Sequence, residues 1–180
     1  MSDSSNLVQG TWEEAEAMVG ATLSSVTGAD PASAADFRRK LEVVGLDCPL
    51  HYDEKVAQEC GYRTVIGPAS QMRTWVTAAY WKPGEPLSAN RALFPPIPIS
   101  AVPGPGDRMF ATGTRFEFLA PVYPGDWITA TAVLKRVTRK SISVGDGAFI
   151  VIETTYTNQD GEAVARDELT VFRFNDEEPK

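Results

Sequence analysis

Apolar residues are spaced in two ways along this chain. Up to about Trp81 they recur at helical intervals between Gly and Pro breaks, and from Arg108 onward they alternate. Thr11-Trp12-Glu13-Glu14 reads as a capping box, in which the Thr11 hydroxyl accepts from the N3 amide while Glu14 reaches back. Gly20 stops that short helix, and Ala21 to Thr27 predicts a first strand. Asp30-Pro31 predicts an N-cap followed by Pro at the first helical position. The helix from Pro31 to Val44 places Ala34, Phe37, Leu41 and Val44 on one face, with Arg38, Arg39 and Lys40 largely off it. Gly45 ends it. Leu46 to Tyr52 is a turn pinned by Pro49, and Asp53 opens a short helix to Cys60 that stops at Gly61. After the break at Gly67-Pro68, Ser70 caps a helix running to Tyr80 or Trp81. Met72, Trp75, Val76 and Ala79 fall at i, i+3, i+4 and i+7. Its Ala- and Trp-rich faces predict deep burial.

Lys82 to Phe110 carries seven of the 13 prolines. A loop this long is usually functional or mobile, so a cover over the sheet and a substrate lid are both open readings. Arg115 to Phe118 alternates, and Pro121 to Asp126 is a turn, because two prolines and a glycine cannot sustain a ladder. Ile128, Ala130, Ala132 and Leu134 form one strand face. Thr138 to Lys140 predicts a turn, and Ser141 to Asn158 a strand with a bend at Gly145-Asp146-Gly147. Asn158-Gln159-Asp160-Gly161 signals a hairpin, with Val164 to Phe174 as the last strand. Helices first and an antiparallel meander after them predict an α+β chain, a curved antiparallel sheet wrapped round one central helix. The expected organisation is a disordered segment over residues 1–10, one domain over 11–174 and an acidic tail over 175–180.

Composition narrows the function. A formal charge of −7 argues against a general nucleic-acid or anionic-membrane surface, since both need basic patches. No apolar run approaches the ~18 residues of a membrane span, and the first residues carry no signal-peptide pattern. Two cysteines make no disulfide framework, so the expected setting is cytoplasmic. One histidine and two cysteines cannot supply a His/Cys-rich zinc site. The phosphate-cradling glycine motifs and the G-x-S-x-G elbow are absent, which argues against nucleotide cofactors and serine-hydrolase chemistry.

The candidate chemistry gathers between Val43 and Ser70, which holds the single histidine, His51. Cys48 has no second histidine to serve as its base and reads as a small buried thiol. Asp53 reads as a helix cap. The basic run Arg38-Arg39-Lys40 could meet phosphates but more simply forms a solvated face.

Three stretches in order carry a resemblance. Gly45 to Ala57 reads GLDCPLHYDEKVA, Gly61 to Gly67 reads GYRTVIG, and Phe118 to Asp126 reads FLAPVYPGD. Together they resemble the MaoC-like (R)-specific enoyl-CoA hydratases and 3-hydroxyacyl dehydratases, most of all the branch named for the dehydratase of type I fatty acid synthase. The resemblance implies a single hotdog domain, and a hydro-lyase that adds water reversibly across a 2-enoyl thioester without metal or cofactor. It implies a histidine and an aspartate as the acid–base pair and a helix-start amide as donor to the thioester oxygen. His51 falls on the family histidine. Leu46 stands where the aspartate belongs, with Asp47 one position later. Gly67, Ala69 and Ser70 fall where the substrate-binding amides would lie. Two readings stay open: Asp47 serves with His51, or this is the degenerate, substrate-shaping subunit of a heteromer that is active only with a partner. The implied partners are an acyl-CoA or acyl-carrier thioester and a second MaoC-like subunit or a second copy. The competing classes are a non-catalytic acyl-CoA-binding module and a hotdog thioesterase. The latter needs a carboxylate on or near the central helix, and Gln71 to Trp81 has none.

Overall fold

Strands β1 (Thr22–Thr27), β2 (Arg108–Phe118), β3 (Thr129–Ile142), β4 (Gly145–Thr157) and β5 (Ala163–Phe174) form one antiparallel sheet. Its order is β1-β3-β4-β5-β2, so β3, β4 and β5 are a meander and the two earlier strands close its edges. The structure is a computed structural model that describes residues 7–79, 81, 83–84 and 98–175. The hairpins follow local chemistry. The Asn158 side chain accepts from the amides of Asp160 and Glu162, and Gly161 supplies a positive φ, so β4 turns into β5 where the sequence predicts. The turn expected at Thr138 to Lys140 is instead continuous β3, paired with Phe149, Ala148 and Gly147. Arg139 explains the polar run there: its guanidinium reaches Glu13 at 2.7 Å and Glu16 at 3.0 Å on the first helix. The chain turns later, at Ser143-Val144, and the only β3–β4 register shift lies between Leu134 and Arg136 rather than at the glycines.

Among the described residues three α-helices precede this meander: α1 (Trp12–Ala17), α2 (Ala34–Val44) and α3 (Glu54–Glu59). The Thr11–Glu14 capping box forms as expected. Helix α2 starts three residues later than the Asp30-Pro31 signal suggests, because the Ser33 side chain accepts from the Asp36 amide and takes the cap. Gly45 ends it in the left-handed conformation, at φ 63°. Asp53 caps α3 by accepting from the amides of Lys55 and Val56.

The largest departure is at the centre. The helix expected from Ser70 is one 3-10 turn, Ala69–Gln71, followed by turns. Only the Trp75 amide bonds four residues back, to Gln71 at 3.3 Å, while Gln71, Met72, Thr74 and Thr77 bond three back. The Thr77 carbonyl is taken by the Ala29 amide at 3.1 Å, and β-branched Thr74, Val76 and Thr77 weaken a helix here. Gly28 allows the close crossing, since a Cβ there would lie 1.9 Å from the Trp75 carbonyl oxygen. The segment still fills the place reserved for the helix. Met72 and Trp75 are buried against Phe37, Val122, Ile128, Tyr156 and Val164. A second cluster, with Ile99, Val102, Leu134, Ile150 and Ile152, lies under α1.

Ile99 and Val102 come from the proline-rich stretch, whose described part covers the core. The rest of it, residues 82 and 85–97, lies outside the described residues, as do 1–6, 176–180 and Tyr80, where the central helix was expected to end. The end of the N-terminal segment is ordered, contrary to expectation: Leu7 is buried, Val8 donates to Ser100, and Gln9 bridges Gly104. Arg173 explains the order. Its fully buried guanidinium donates to the carbonyls of Gly106, Val102, Val8 and Gly104 at 2.6 to 2.9 Å.

Candidate functional site

His51 ends a 3-10 turn, Pro49–His51, that follows the left-handed stop at Gly45. Proline at the first position fixes φ for that turn, and the amides of Tyr52 and Asp53 both bond back to the Pro49 carbonyl. The His51 ring is tied across the chain, with Nδ1 2.8 Å from the Ile66 carbonyl oxygen, and the Ile66 amide returns a bond to Leu50 at 3.0 Å. A carbonyl can only accept, so Nδ1 carries a proton, and in the neutral ring Nε2 is the nitrogen with the lone pair.

Asp47 does not join it. Its carboxylate accepts from the Tyr52 hydroxyl, a hydrogen bond that pushes the Tyr52 phenol above its ordinary value. Among the described residues no hydrogen bond or ion pair links Asp47 to His51. Leu46 is exposed, with its amide bonded to Leu41. The two candidate acid–base residues thus face different partners.

An apolar cleft of about 260 Å³ lies beside the His51 anchor. Tyr62, Ile66, Gly67, Ala69, Met72 and Trp75 line one side, and Phe118 through Val122 the other. Ile66 belongs to both structures: its carbonyl orients the imidazole and it lines the cleft. The three expected substrate-binding residues separate here. Gly67 lines the cleft, but its amide is spent on the Val122 carbonyl at 2.7 Å, so it offers no donor. Its missing side chain makes room for Trp75, since a Cβ would lie 2.5 Å from the indole ring. Ala69 lines the cleft, while Ser70, next in the chain, is exposed and does not line it. Neither the Ala69 nor the Ser70 amide has an acceptor among the described residues.

Two carboxylates are buried, Asp126 and Asp167, and neither lines the cleft. Asp126 accepts from the Tyr123 amide at 2.7 Å and pairs with Arg63, which stacks on the Tyr123 ring at 4.0 Å; this latches the Pro121 to Asp126 turn. Asp167 accepts from the Arg73 guanidinium at 2.8 Å and from the Tyr156 hydroxyl at 2.9 Å. It is the carboxylate that approaches the central segment. Its Oδ2 is shared by an arginine and a phenol, which ties this carboxylate to its neighbours rather than to the cleft. Arg38 and Arg39 pair with Glu42 and Asp36 on their own helix. Cys48 and Cys60 are free thiols, half-buried and exposed.

Residues 17–167 match the family described as FAS1-like, dehydratase domain region. The chain belongs to that family. It is 31% identical over 161 residues to a probable enoyl-CoA hydratase alpha subunit of Thermomonospora curvata, covering 88% of this chain. It spans about half the length of that curated relative, 50%. The ChsH1-ChsH2 complex from Mycobacterium tuberculosis contains a similar structure, with TM-score 0.70 and 19% identity over 93% of each chain. The R-hydratase PhaJ1 from Pseudomonas aeruginosa is also similar, with TM-score 0.53 and 16% identity over 90% of each chain. The fold is therefore the hotdog, and the MaoC-like resemblance of the three motif stretches is borne out. No helix among the described residues is long and apolar enough to cross a membrane.

Sequence reasoning missed Tyr52 and Ile66. Both lie inside the quoted stretches, Tyr52 directly after the histidine, but their roles depend on pairings that spacing alone does not encode. It also missed Trp75 and Phe118 as cleft walls, because burial in a core and exposure in a cleft draw on the same residue types.

Proposed function

We propose that this chain is a subunit of an (R)-specific enoyl-CoA hydratase or 3-hydroxyacyl-thioester dehydratase, in which it shapes the acyl site and a second MaoC-like chain supplies the acid–base pair. One observation carries the reading: Asp47, next to the Leu46 position where the resemblance expects the family aspartate, is committed to Tyr52. A histidine without a carboxylate cannot hold and deliver the water in two coordinated proton steps. The apolar cleft supports a fatty or similarly apolar acyl group. The Ala69 amide in the cleft wall, with the Ser70 amide next to it in the chain, supports docking of the thioester oxygen. The related protein's name, an alpha subunit, supports a hetero-oligomer over a homodimer. Two free thiols support a cytoplasmic setting.

A second reading has an observation of its own. With Nδ1 held by Ile66, His51 presents Nε2 in the form a general base requires. Hydration of 2-octenoyl-CoA separates the two readings when measured for the chain alone, and for its complex with a MaoC-like chain carrying both family residues. The shaping role predicts no turnover alone, turnover in the complex, and less than about threefold loss on His51→Ala. A loss of about a hundredfold or more, the usual worth of an acid–base group, would transfer the chemistry to His51.

A further inference from the structure

We propose that Arg73 closes the acyl cleft at its Phe118 end through its ion pair with Asp167, and so sets the longest acyl chain the site accepts. The inference rests on the reading of the cleft as the acyl site and adds the residue that limits it.

The walls of the cleft are joined at two places. At one, the Gly67 amide donates to the Val122 carbonyl at 2.7 Å, and both residues line the cleft. That tie runs from backbone to backbone. The other lies six residues on in the central segment, from 67 to 73, and six residues back along the opposite wall, from 122 to 116. There the Arg73 guanidinium stands 5.7 Å from the centre of the Phe116 ring. Phe116 stacks on Phe118, which lines the cleft, with ring centres 5.0 Å apart. Met72, next to Arg73, lines the cleft from the other side.

This second tie is made by side chains alone. Arg73 Nε and Nη2 donate to Asp167 Oδ2 at 3.1 and 2.8 Å, and the Tyr156 hydroxyl donates to the same oxygen at 2.9 Å. Asp167 lies directly across from Phe116 in the β2–β5 register, so its carboxylate fixes the guanidinium beside that ring. The carboxylate is buried, and it holds its cation firmly because release would leave a charge unpaired in the core. Among the described residues no other polar side chain of the segment 67–79 bonds to the sheet. Gln71 donates to the Asp36 carbonyl on α2, and the Thr77 hydroxyl to the Arg73 carbonyl of its own segment. The spacing between the central segment and β2 at this end therefore depends on Arg73, which acts as a positioning residue. The cleft volume of about 260 Å³ falls below the roughly 300–1,000 Å³ usual for ligand sites, as expected of a cleft held closed at one end.

Isothermal titration of the full chain with octanoyl-CoA and with dodecanoyl-CoA tests this. Burying two further methylenes strengthens binding about tenfold, so a cleft open at this end favours the longer chain and a closed one does not. Wild type is expected to bind the two ligands within about threefold of each other. Arg73→Ala is expected to bind dodecanoyl-CoA at least about tenfold more tightly than octanoyl-CoA. Arg73→Lys should keep the wild-type ratio, because both guanidinium contacts fall on one oxygen, which a single ammonium can also reach. Arg73→Ala/Asp167→Asn removes both charges and keeps an acceptor for Tyr156, so it gives the same readout without a stranded carboxylate. A general loosening would weaken both ligands alike and leave their ratio unchanged. A wild-type ratio in both Arg73→Ala and the double variant overturns the role of Arg73. So does a wild type that already favours dodecanoyl-CoA about tenfold or more. Binding of neither ligand by wild type overturns the acyl reading of the cleft, and this inference with it.

Discussion

Tyr156 couples the interior to pH. Its burial, and then the Asp167 carboxylate beside it, push the phenol above its ordinary value of 10.0. The folded state therefore holds the proton more tightly than the unfolded chain. Its contribution is complete below about pH 10 and is lost as pH rises beyond that, when unfolding releases a proton. Urea midpoints measured from pH 8 to 11 should fall above pH 10, and Tyr156→Phe should flatten that fall. The same variant should lose about 2 kcal/mol at neutral pH, because Asp167 forfeits a charge-assisted hydrogen bond. Arg173 makes a stronger demand. Replacing it with Met strands four carbonyls in the core, so Arg173→Met should cost about 3 kcal/mol or more in the same titration. At this scale the sequence was informative about residue type and silent about pairing. His51 was legible as the one histidine in a family stretch. That Asp47 would be captured by Tyr52 was not, because four residues of turn separate them and only the folded loop brings the hydroxyl to the carboxylate.

The elements divide in the same way. Hairpin β4–β5 was legible because Asn158 and Gly161 act within a few residues of themselves. The start of α2 was misplaced because Asp30 and Ser33 are both good caps, and the backbone chose the one whose hydroxyl meets the Asp36 amide. The run at Thr138 to Lys140 looked like a turn because its charges could not be matched to α1, far away in sequence. The central segment shows tertiary demand overriding propensity: its apolar spacing fits a helix, but Gly28 and Ala29 cross it and take up the Thr77 carbonyl. Gly28→Ala places a methyl group 1.9 Å from the Trp75 oxygen and should force that crossing apart. A loss of about 2 kcal/mol is expected for such overpacking, read from the urea midpoint. A neutral result would mean that the crossing is loose.

On the scale of the whole molecule, the cleft is built from the core itself. Met72, Trp75 and Val122 belong to the cluster under the sheet and also line the cleft. A ligand seated there touches residues from the central segment and from the turn before β3, which unfolding would separate. Binding should therefore stabilise the fold as a whole rather than one loop. With octanoyl-CoA at about a hundred times its dissociation constant, linkage gives about 2.7 kcal/mol. For a chain of this size each kcal/mol moves the melting temperature by about 2–4 °C, so a rise of about 5–10 °C is expected. Free coenzyme A, which lacks the acyl chain, should give a much smaller rise. Ala69→Phe, which projects a ring from the cleft wall, should abolish the octanoyl-CoA shift while leaving the melting temperature of the free chain within about 2 °C, because Ala69 is only partly buried. An undiminished shift in that variant would place the acyl chain elsewhere. The nearest alternative is the opening of about 430 Å³ between Leu7, Met109, Phe110 and Phe174, at the end of β2 away from Phe118 and the cleft. Phe110→Ala separates the two sites, because it alters that opening and leaves every residue lining the cleft in place.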